Sequence, residues 1–334
     1  MADQTATRRG GRPRLGLIAA GCALLVVVGA GSAGWAQETM VLGGADAATA
    51  APPSPITVQA VDQQTEDGPV RGFVATVDLT DPRVEIVVTD PVDGTLDPPE
   101  AEAVLTPTDT FVQDTGCVLG FNANFFGWLA DPDGNKTLAD VIGLSISDGR
   151  VISGPRSYEG RSDPAIVFSK QPRARVMILG QADLQAGEVW DGVAGIGGSG
   201  STATPGTLLV QDGVNLGNTA RVGPQTRHPR TAAGVNADGT LLIVAVIDGR
   251  QPEHSIGINL PDLADLMIKH GADDALNLDG GGSSAFVCWG PAATGPAAQG
   301  DGWITNSPSD GRFRAVANSV GVRLEGWTPP QSTE

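Results

Sequence analysis

The sequence predicts an α+β fold: a single domain with a mixed, hairpin-rich β-sheet, a βαβ unit and few helices. Short runs rich in β-branched residues recur along the chain, and Asp-Gly turns separate several of them. One stretch with helical spacing of apolar residues stands between two apolar runs. No internal repeat or change in composition divides residues 56–325, so we expect one domain there.

The first 36 residues predict export. Four arginines precede an apolar run from Leu15 to Ala36 that ends in small residues, as in a signal peptide. The run is long for a cleaved signal, so a retained membrane anchor is the alternative. In both cases the rest of the chain is expected outside the cytoplasm, either secreted or held at the membrane by this segment alone. Residues 37–55 predict a flexible Ala/Gly/Pro linker, and residues 326–334 a tail.

Charge and cysteine content narrow the partners and the compartment. The formal net charge is −17, so the chain is poorly suited to neutralise a phosphate backbone, and no nucleic-acid partner is expected. Cys22 lies in the export segment, which leaves Cys117 and Cys288. In an oxidising compartment this even pair favours a disulfide, and two buried thiols are the alternative.

The strand predictions rest on β-branched runs and turn signals. Asp148-Gly149 closes a predicted hairpin, and Asp212-Gly213 and Asp238-Gly239 repeat that turn signature. One run is entirely apolar, as expected of a central strand covered on both faces. The predicted strands and hairpins cover residues 73–79, 84–89, 117–121, 144–152 and 241–247.

One helix is predicted over residues 260–270, where Asn259 can cap the first turn and Gly271 can end the last. A second, weaker helix is predicted around residues 99–111. The order strand 241–247, helix, strand 274–279 forms the βαβ unit, whose two strands are expected to be parallel and close. Because ligands gather outside the carboxyl ends of such strands, Asp248 and Asp279 are expected at one edge.

The stretch Asn277–Ala285 is the strongest functional signal. An apolar strand leads to Asp279, and then to Gly280, Gly281, Gly282, Ser283 and Ser284. Glycines permit positive φ and close approach of a ligand, and successive N–H groups can form a concavity for an anion. The sequence therefore predicts an anion site with Asp279 as acid or base, against the alternative of an ordinary tight turn.

A serine hydrolase is a further alternative, because residues 281–285 approach the G-x-S-x-G pattern. That elbow requires a helix directly after the serine, whereas residues 285–289 read as a strand. A serine nucleophile is therefore not expected.

Six segments, taken in order, resemble the phosphodiester glycosidase family over about residues 70–324. The segments are Asn122–Phe126, His228–Gly234, Asp248–Arg250, Asn277–Ser284, Asn306–Asp310 and Arg314–Asn318. The resemblance implies cleavage of a sugar-1-phosphodiester or related glycosidic bond in a phosphorylated glycan or glycoconjugate. It implies substrate binding by Asn122, Asn124, His228, Arg250, Asn306 and Arg314, together with the turn residues 280–284. Asn124 departs from the Gly or Asp of that family's usual motif and cannot act as a carboxylate.

Hydrolysis at an anomeric carbon needs the phosphate held, the cationic sugar stabilised and water activated. Arg230 and Arg250 can grip phosphate oxygens with bidentate forks, and Asp248 and Asp279 are the expected base or nucleophile. The predicted catalytic residues are therefore Asp279, Asp248 and Arg230. His254 lies in a loop from which it could reach the same edge. A glycosidase acting on a non-phosphorylated glycan, and a non-catalytic glycan-binding or exopolysaccharide-associated protein, are the alternatives.

No cofactor is required by this chemistry. Asp131-Pro132-Asp133-Gly134-Asn135 resembles the start of a calcium loop, with oxygen ligands at alternate positions. It lacks the downstream glutamate, and Asp-Gly-Asn is also good turn chemistry without an ion. Calcium is therefore a minor expectation here, and no zinc pattern occurs.

Overall fold

The computed structural model describes residues 54–155, 163–171, 173–178, 189–197, 206–298, 300 and 302–327. The predicted signal or anchor segment, nearly all of the predicted linker and most of the predicted tail lie outside the described residues. No helix within the described ranges has the length and apolar character needed to cross a membrane.

Most of the described chain is β-structure. The strands are β1 (Ile56–Gln64), β2 (Pro69–Asp78), β3 (Val84–Val88), β4 (Ala103–Val104), β5 (Thr106–Pro107), β6 (Leu119–Asn122), β7 (Phe126–Leu129), β8 (Leu138–Val141), β9 (Ser145–Ser147), β10 (Arg150–Ser153), β11 (Pro164–Phe168), β12 (Ala174–Ile178), β13 (Asp191–Ala194), β14 (Leu208–Gln211), β15 (Val214–Asn215), β16 (Arg230–Val235), β17 (Leu241–Ile247), β18 (Asp274–Asn277), β19 (Phe286–Trp289), β20 (Trp303–Thr305), β21 (Ala315–Val316) and β22 (Ser319–Leu324). The predicted strands all fall on these elements.

These strands form several antiparallel sheets. The largest has the order β1-β2-β17-β16-β18-β14-β15. Two five-stranded sheets have the orders β10-β9-β13-β11-β12 and β20-β19-β6-β22-β3, beside smaller sheets β4-β8-β7 and β21-β5. Every pairing between these named strands is antiparallel, so the prediction of a mixed sheet is wrong. The described fold is mostly β, with two α-helices.

The stronger helix prediction is confirmed, and the weaker one is confirmed in part, because its helix lies further along the chain. Helix α2 spans Leu260–Lys269, and the Asn259 side chain accepts a hydrogen bond from the Asp262 N–H, as an N-cap does. Helix α1 spans Thr108–Thr115 and ends at Gly116, which is left-handed with φ +67°. It starts later than predicted because the residues before it pair as β4 and β5.

The βαβ prediction is wrong in one respect that matters for the site. Helix α2 does connect β17 to β18, but β16 lies between these strands and pairs antiparallel with both. The strands β17 and β18 therefore run in the same direction without being neighbours. Their carboxyl ends flank the first residue of β16, so three chain segments meet at one edge of the sheet.

Strand β17 explains why this edge is rigid. Leu242, Val244 and Val246 pack into one buried apolar cluster, and the alternate residues Ile243 and Ile247 pack into another, beneath α2. A strand buried on both faces needs this continuous apolar run. Each such side chain contributes about 1.5–3 kcal/mol on burial.

The predicted disulfide is wrong, because Cys117 and Cys288 are both free thiols. Cys288 packs in the central apolar cluster, whereas Cys117 packs with Val287 in a cluster across the sheet. Neighbouring residues of a strand point to opposite faces, so the two sulfur atoms face different cores. Burial raises the pKa of Cys117 to about 11 and that of Cys288 to about 12.

Candidate active site

The site is built where β16 begins and where β17 and β18 end. Arg230 pairs with Ile247 across one side of β16, and Ala232 pairs with Asn277 across the other. Residues 228–230 therefore lie between the loop after β17 and the turn after β18. The Pro229 carbonyl accepts a hydrogen bond from the Gly281 N–H at 2.9 Å, which ties two of these segments together.

The glycine turn contains a short 3₁₀ turn, Gly281–Ser283, followed by strand β19. Its N–H groups are mostly used internally: those of residues 280, 281, 283, 284 and 285 all donate to protein acceptors. Within the described chain, Gly282 is the one member of the turn whose N–H has no acceptor. The predicted concavity of several open N–H groups is therefore not formed, and anion binding here must depend on side chains.

Each glycine of the turn has a close neighbour at the position where a Cβ would lie. A Cβ on Gly280 would lie 2.8 Å from the Pro229 oxygen, and one on Gly282 would lie 2.0 Å from Arg314 Nη2. Gly281 has φ +63°, and its Cβ would lie 3.0 Å from Arg250 Nη2. Gly281 and Gly282 thus allow two guanidinium groups to lie directly against the backbone near Asp279.

Arg250 is an exposed arginine with no hydrogen-bond or ion-pair partner among the described residues. It also has φ +59°, a left-handed conformation that non-glycine residues rarely adopt and that clusters at functional sites. Gly249 before it packs against Pro229, where a Cβ would lie 2.6 Å from the proline nitrogen. The loop therefore holds an unpaired cation over the glycine turn.

Arg314 is the second guanidinium at the turn, and it is partly neutralised. Its Nε and Nη2 donate to Asp310 Oδ2 at 3.0 and 2.6 Å, and its Nη1 lies 3.5 Å from Ser283 Oγ. It is thus near the turn as predicted, with a carboxylate already attached.

Asp279 is partly exposed and is held by its backbone. Its carbonyl accepts from Asn122 Nδ2 at 2.7 Å, and its N–H donates to the Ala123 carbonyl at 2.9 Å. Burial raises the pKa of Asp279 to about 6, opposed by hydrogen bonds from Ser283 and the Gly280 N–H and by the charge of Arg314. A carboxyl group of this pKa can exchange protons near neutral pH.

Asp248 lies at the same edge but is sealed in. It is 3% exposed, and its Oδ1 accepts from Asn306 Nδ2 at 2.8 Å and from the Ser307 N–H at 3.0 Å. Its Oδ2 lies 2.9 Å from His254 Nε2. The direct contact with substrate predicted for Asp248 would require these bonds to be given up, so the arrangement favours a positioning role.

Arg230 differs most from its predicted role. It is 2% exposed, and its terminal nitrogens donate to the carbonyl oxygens of Val222, Gly223 and Thr226. Burial, and then the charge of Arg250, lower the pKa of Arg230 to about 10. Its fork is already occupied by the loop 222–226, so the predicted grip on phosphate is available to Arg250 rather than to Arg230.

The predicted asparagines are buried and fix the backbone. Asn122 Oδ1 accepts from Thr231 Oγ1 and from the Ala285 N–H. Asn306 accepts from the Phe286 N–H while donating to Asp248 and to the Ser284 carbonyl. Both lie beside the site, where they position the residues that the turn presents.

Asn124 lies deeper. Its amide donates to the Ile142 and Leu144 carbonyls and accepts from the Ala194 N–H and Asn318 Nδ2. With all these bonds made and 1% of its surface exposed, it has no atom left for a substrate in this arrangement. An amide satisfies this site where a carboxylate could not donate.

Four buried polar atoms in the segments that form the site have no hydrogen-bond partner within the described chain. They are His228 Nδ1, Arg230 Nε, Asn277 Oδ1 and Ser284 Oγ. Burial, with the charges of Arg230 and Arg250, lowers the pKa of His228, which favours the neutral imidazole. Unsatisfied buried polar groups are uncommon, and their concentration here is typical of a functional site.

The phosphodiester glycosidase family model matches residues 115–323, more than half of the chain. The chain belongs to the phosphodiester glycosidase family. It is 25% identical over 203 residues to N-acetylglucosamine-1-phosphodiester alpha-N-acetylglucosaminidase from Mus musculus, covering 55% of this chain and 35% of that protein. It is 38% identical over 96 residues to the SPbeta prophage-derived uncharacterized protein YomE from Bacillus subtilis, covering 29% of this chain and 13% of the relative. The chain thus spans only a minor part of these relatives.

Solved structures share the fold. The zebrafish N-acetylglucosamine-1-phosphodiester alpha-N-acetylglucosaminidase catalytic domain, auto-inhibited by its pro-peptide, has a TM-score of 0.52 and 16% identity, covering 83% of this chain and 85% of that chain. A hypothetical protein from Synechocystis has a TM-score of 0.51 and 15% identity, covering 83% and 64%. The resemblance to the phosphodiester glycosidase family that the six sequence segments indicated is confirmed.

In this phosphodiester glycosidase-family domain, the serine-elbow alternative lacks its geometry. The chain enters β19 after Ser284 rather than a helix. Among the described residues, no histidine hydrogen-bonds to Ser283 or Ser284. The serine that approaches a charged group is Ser283, which lies near Arg314 and hydrogen-bonds to Asp279.

No group of three or more metal-binding side chains occurs among the described residues of this family member. In the predicted calcium loop, Asp131 accepts hydrogen bonds from the Asp133 and Asn135 N–H groups and from Thr137 Oγ1. These bonds account for the turn and lower the pKa of Asp131. Calcium binding at this loop stays a prediction.

His254 is the site residue that the sequence pattern indicates most weakly. Its ring pairs with Asp248, a contact that only the return of the loop 248–255 upon itself produces. A carboxylate six residues before a histidine, at the end of an apolar strand, is the available sequence signal. It is weak without knowledge of the loop.

Proposed function

We propose that this protein is an exported hydrolase that cleaves a sugar-1-phosphodiester bond in a phosphorylated glycan or glycoconjugate of the cell envelope or surroundings. Family membership supports hydrolysis of a phosphodiester-linked sugar. The observation that carries the proposal is the position of Arg250. Its exposed, unpaired guanidinium lies against Gly281, two residues after Asp279. An exposed guanidinium without a carboxylate partner is free to pair with an anionic group of a ligand.

Arg250 is suited to bind the phosphate of the substrate. A guanidinium presents a planar fork that matches two phosphate oxygens, and it stays charged at every physiological pH. Arg314 adds positive charge across the turn, although Asp310 neutralises part of it. Held in this way, the phosphate is stabilised as it gains charge on leaving the anomeric carbon.

Asp279 is suited to act at the sugar side of the same bond. Its pKa of about 6 leaves it largely ionised at pH 7, where a carboxylate can stabilise a cationic sugar, attack the anomeric carbon or take a proton from water. Asn122, on a strand of another sheet, keeps the Asp279 backbone in place. We therefore assign the phosphate to Arg250 and the sugar to Asp279, two residues that the glycine turn connects.

The test is hydrolysis of an N-acetylglucosamine-1-phosphodiester by the purified protein, followed as release of free sugar. Arg250→Ala is expected to lower kcat/KM by about 10- to 100-fold, the value of a lost charge-assisted pair. Arg250→Lys should retain only part of the parent kcat/KM, because an ammonium group cannot form two parallel hydrogen bonds to the phosphate. Arg150→Ala is the matched control, since Arg150 is 57% exposed and only loosely paired with Asp90 at 3.7 Å.

Two results would contradict the proposal. Equal cleavage of an alkyl N-acetylglucosaminide, which lacks phosphate, with no effect of Arg250→Ala, would favour an ordinary glycosidase. Saturable binding of the phosphodiester without any release of sugar would favour a non-catalytic glycan-binding protein.

A further inference from the structure

His254 pairs with the buried carboxylate of Asp248 on the loop that also carries the unpaired Arg250. His254 Nε2 lies 2.9 Å from Asp248 Oδ2, and the two side chains are 36% and 3% exposed. Asp248 is anchored from behind by Asn306 and by the Ser307 N–H, both on its Oδ1. The carboxylate therefore cannot turn away, and one of its two oxygens is left for the imidazole.

This contact determines which ring nitrogen faces outward. With Nε2 turned to Asp248, the other nitrogen of His254, Nδ1, has no partner among the described residues. A carboxylate behind an imidazole holds the ring in one orientation and stabilises the imidazolium that forms when the other nitrogen takes a proton. The arrangement is that of a general acid–base pair rather than of a surface ion pair.

The loop that carries His254 is rigid and also carries Arg250. The Gln251 and Ser255 backbones hydrogen-bond in both directions, and the His254 N–H donates to the Gln251 carbonyl at 2.8 Å. Ser255 Oγ donates to the Asp248 carbonyl at 2.7 Å, which closes the loop on itself. His254 and Arg250 thus stand four residues apart on one closed loop, which is why the imidazole is a candidate to act on a phosphate bound by Arg250.

We propose that His254 is the proton donor to the departing phosphate, with Asp248 as its positioning residue; this rests on the proposed function. When the bond between the anomeric carbon and the phosphate oxygen breaks, its electron pair goes to that oxygen, which takes the proton from His254 Nδ1. The water that completes hydrolysis supplies the new sugar hydroxyl, and its remaining proton restores the imidazolium, directly or through Asp279. The sum is one water consumed, one sugar released and one phosphomonoester released.

Other ionisable groups at this edge are less suited to that step. Asp248 is sealed behind His254, and His228 has a buried Nδ1 and a pKa lowered by burial. Asp279 is assigned to the sugar side of the bond in the proposed function, so it is not the donor to the phosphate.

Several charged groups near His254 will influence the pH dependence of the proposed proton transfer. Its own loop carries Asp248, Arg250 and Glu253, and the segment before β16 carries His228. Strand β2 contributes Arg71, whose guanidinium is paired with Asp62 at 3.1 Å. The 306–307 segment presents only neutral groups to Asp248.

The experiment compares pH profiles of kcat for cleavage of an N-acetylglucosamine-1-phosphodiester by the full chain and its variants. His254→Gln is expected to lower kcat by about 100-fold or more, with KM little changed, and to remove the fall of kcat at high pH. Imidazole added to His254→Ala should restore part of the rate. Asp248→Asn should lower kcat by a smaller factor and move the high-pH fall of kcat to lower pH. His270→Gln, at the end of α2, is the matched control and should match the parent.

The outcomes separate this inference from the proposed function. A parent protein that releases no sugar from any phosphodiester overturns both. An active parent whose His254→Gln variant keeps its kcat within a few-fold and its fall at high pH overturns the role of His254 alone. A third outcome is a loss of activity that added imidazole does not restore, together with a lower unfolding midpoint in the His254 and Asp248 variants. That outcome would assign the pair a structural role, and it would also overturn the role of His254 as proton donor.

Discussion

The side-chain amide of Asn122 donates a hydrogen bond of 2.7 Å to the backbone carbonyl of Asp279. Asn122 ends β6, in a five-stranded sheet, whereas Asp279 follows β18, in the seven-stranded sheet. The same amide oxygen accepts from Thr231 and from the Ala285 N–H, at the far end of the glycine turn. One fully buried residue thus holds both ends of the turn against a second sheet.

Asn122→Ala should therefore cost both stability and activity. It leaves the Ala285 N–H and the Thr231 hydroxyl buried without a partner, at about 1–3 kcal/mol for each group. Urea denaturation measures the loss, and sugar release at a temperature where the variant is folded measures the activity. An unchanged urea midpoint would show that the turn does not depend on Asn122.

Gly281→Ala tests the contact between the turn and Arg250. The left-handed backbone of Gly281 costs a non-glycine residue about 1–3 kcal/mol, and the new Cβ would meet the guanidinium at 3.0 Å. Gly94→Ala is the matched control, because Gly94 has φ +89° and no atom within 4 Å of its Cβ position. Both variants should lose stability, but only Gly281→Ala should raise KM for the phosphodiester. A normal KM in Gly281→Ala would remove the turn from phosphate binding.

Asp279 should leave a signature in the pH dependence of stability. Burial raises its pKa from 3.8 to about 6, so the folded protein holds this proton more tightly than the unfolded chain does. The group therefore favours folding below about pH 4, and this contribution is lost as the pH rises through about 6. Asp279→Asn stays neutral, and should be more stable than the parent at pH 7 by about 1–3 kcal/mol, reduced by solvent screening, with no gain near pH 4.

Asp191→Asn is the matched control for that prediction. Asp191 lies in β13 of another sheet, and burial raises its pKa to about 7. It should show the same gain in stability at high pH while keeping full activity, whereas Asp279→Asn should be inactive. Normal hydrolysis by Asp279→Asn would exclude that carboxylate from the reaction.

The two buried thiols should not respond to redox conditions. Because burial raises both pKa values far above neutrality, Cys117 and Cys288 are protonated and inaccessible in the folded protein. In a Cys22→Ser background, a thiol reagent should react slowly with the folded chain. After unfolding, the same reagent should label two cysteines. A reductant that lowers the unfolding midpoint would instead indicate a disulfide.

Local patterns predicted the local structure. Helix α2 follows from its own apolar spacing and the Asn259 cap, and strand β17 from its continuous apolar run. What the sequence could not predict depends on pairing between distant segments. The insertion of β16 between β17 and β18 decides the geometry of the edge, and no local signal encodes it.

The same reasoning explains the site. Asp279 stands out because three glycines follow it directly. Asp248 is covered by Asn306, which lies 58 residues later in the chain. Because the sequence does not reveal this contact, it predicted that the Asp248 carboxylate contacts the substrate directly. Cys117 and Cys288 looked like a pair because spacing along the chain does not reveal which face of a sheet each one occupies.

Arg230 and Arg250 look alike in the sequence, and the structure predicts opposite effects for them. Arg230 donates to three carbonyl groups of the loop 222–226, so Arg230→Met should destabilise the protein by about 1.5–3 kcal/mol, because it removes hydrogen bonds made by a charged group. Arg250→Met breaks no bond within the described chain, so it should leave the urea midpoint nearly unchanged and raise KM for the phosphodiester. The pair is best measured together, with denaturation and limited proteolysis of the 222–226 loop alongside steady-state kinetics. If Arg230→Met kept its stability and lost phosphate binding, the buried arginine would be the phosphate ligand after all, and the loop would have to open to admit the substrate.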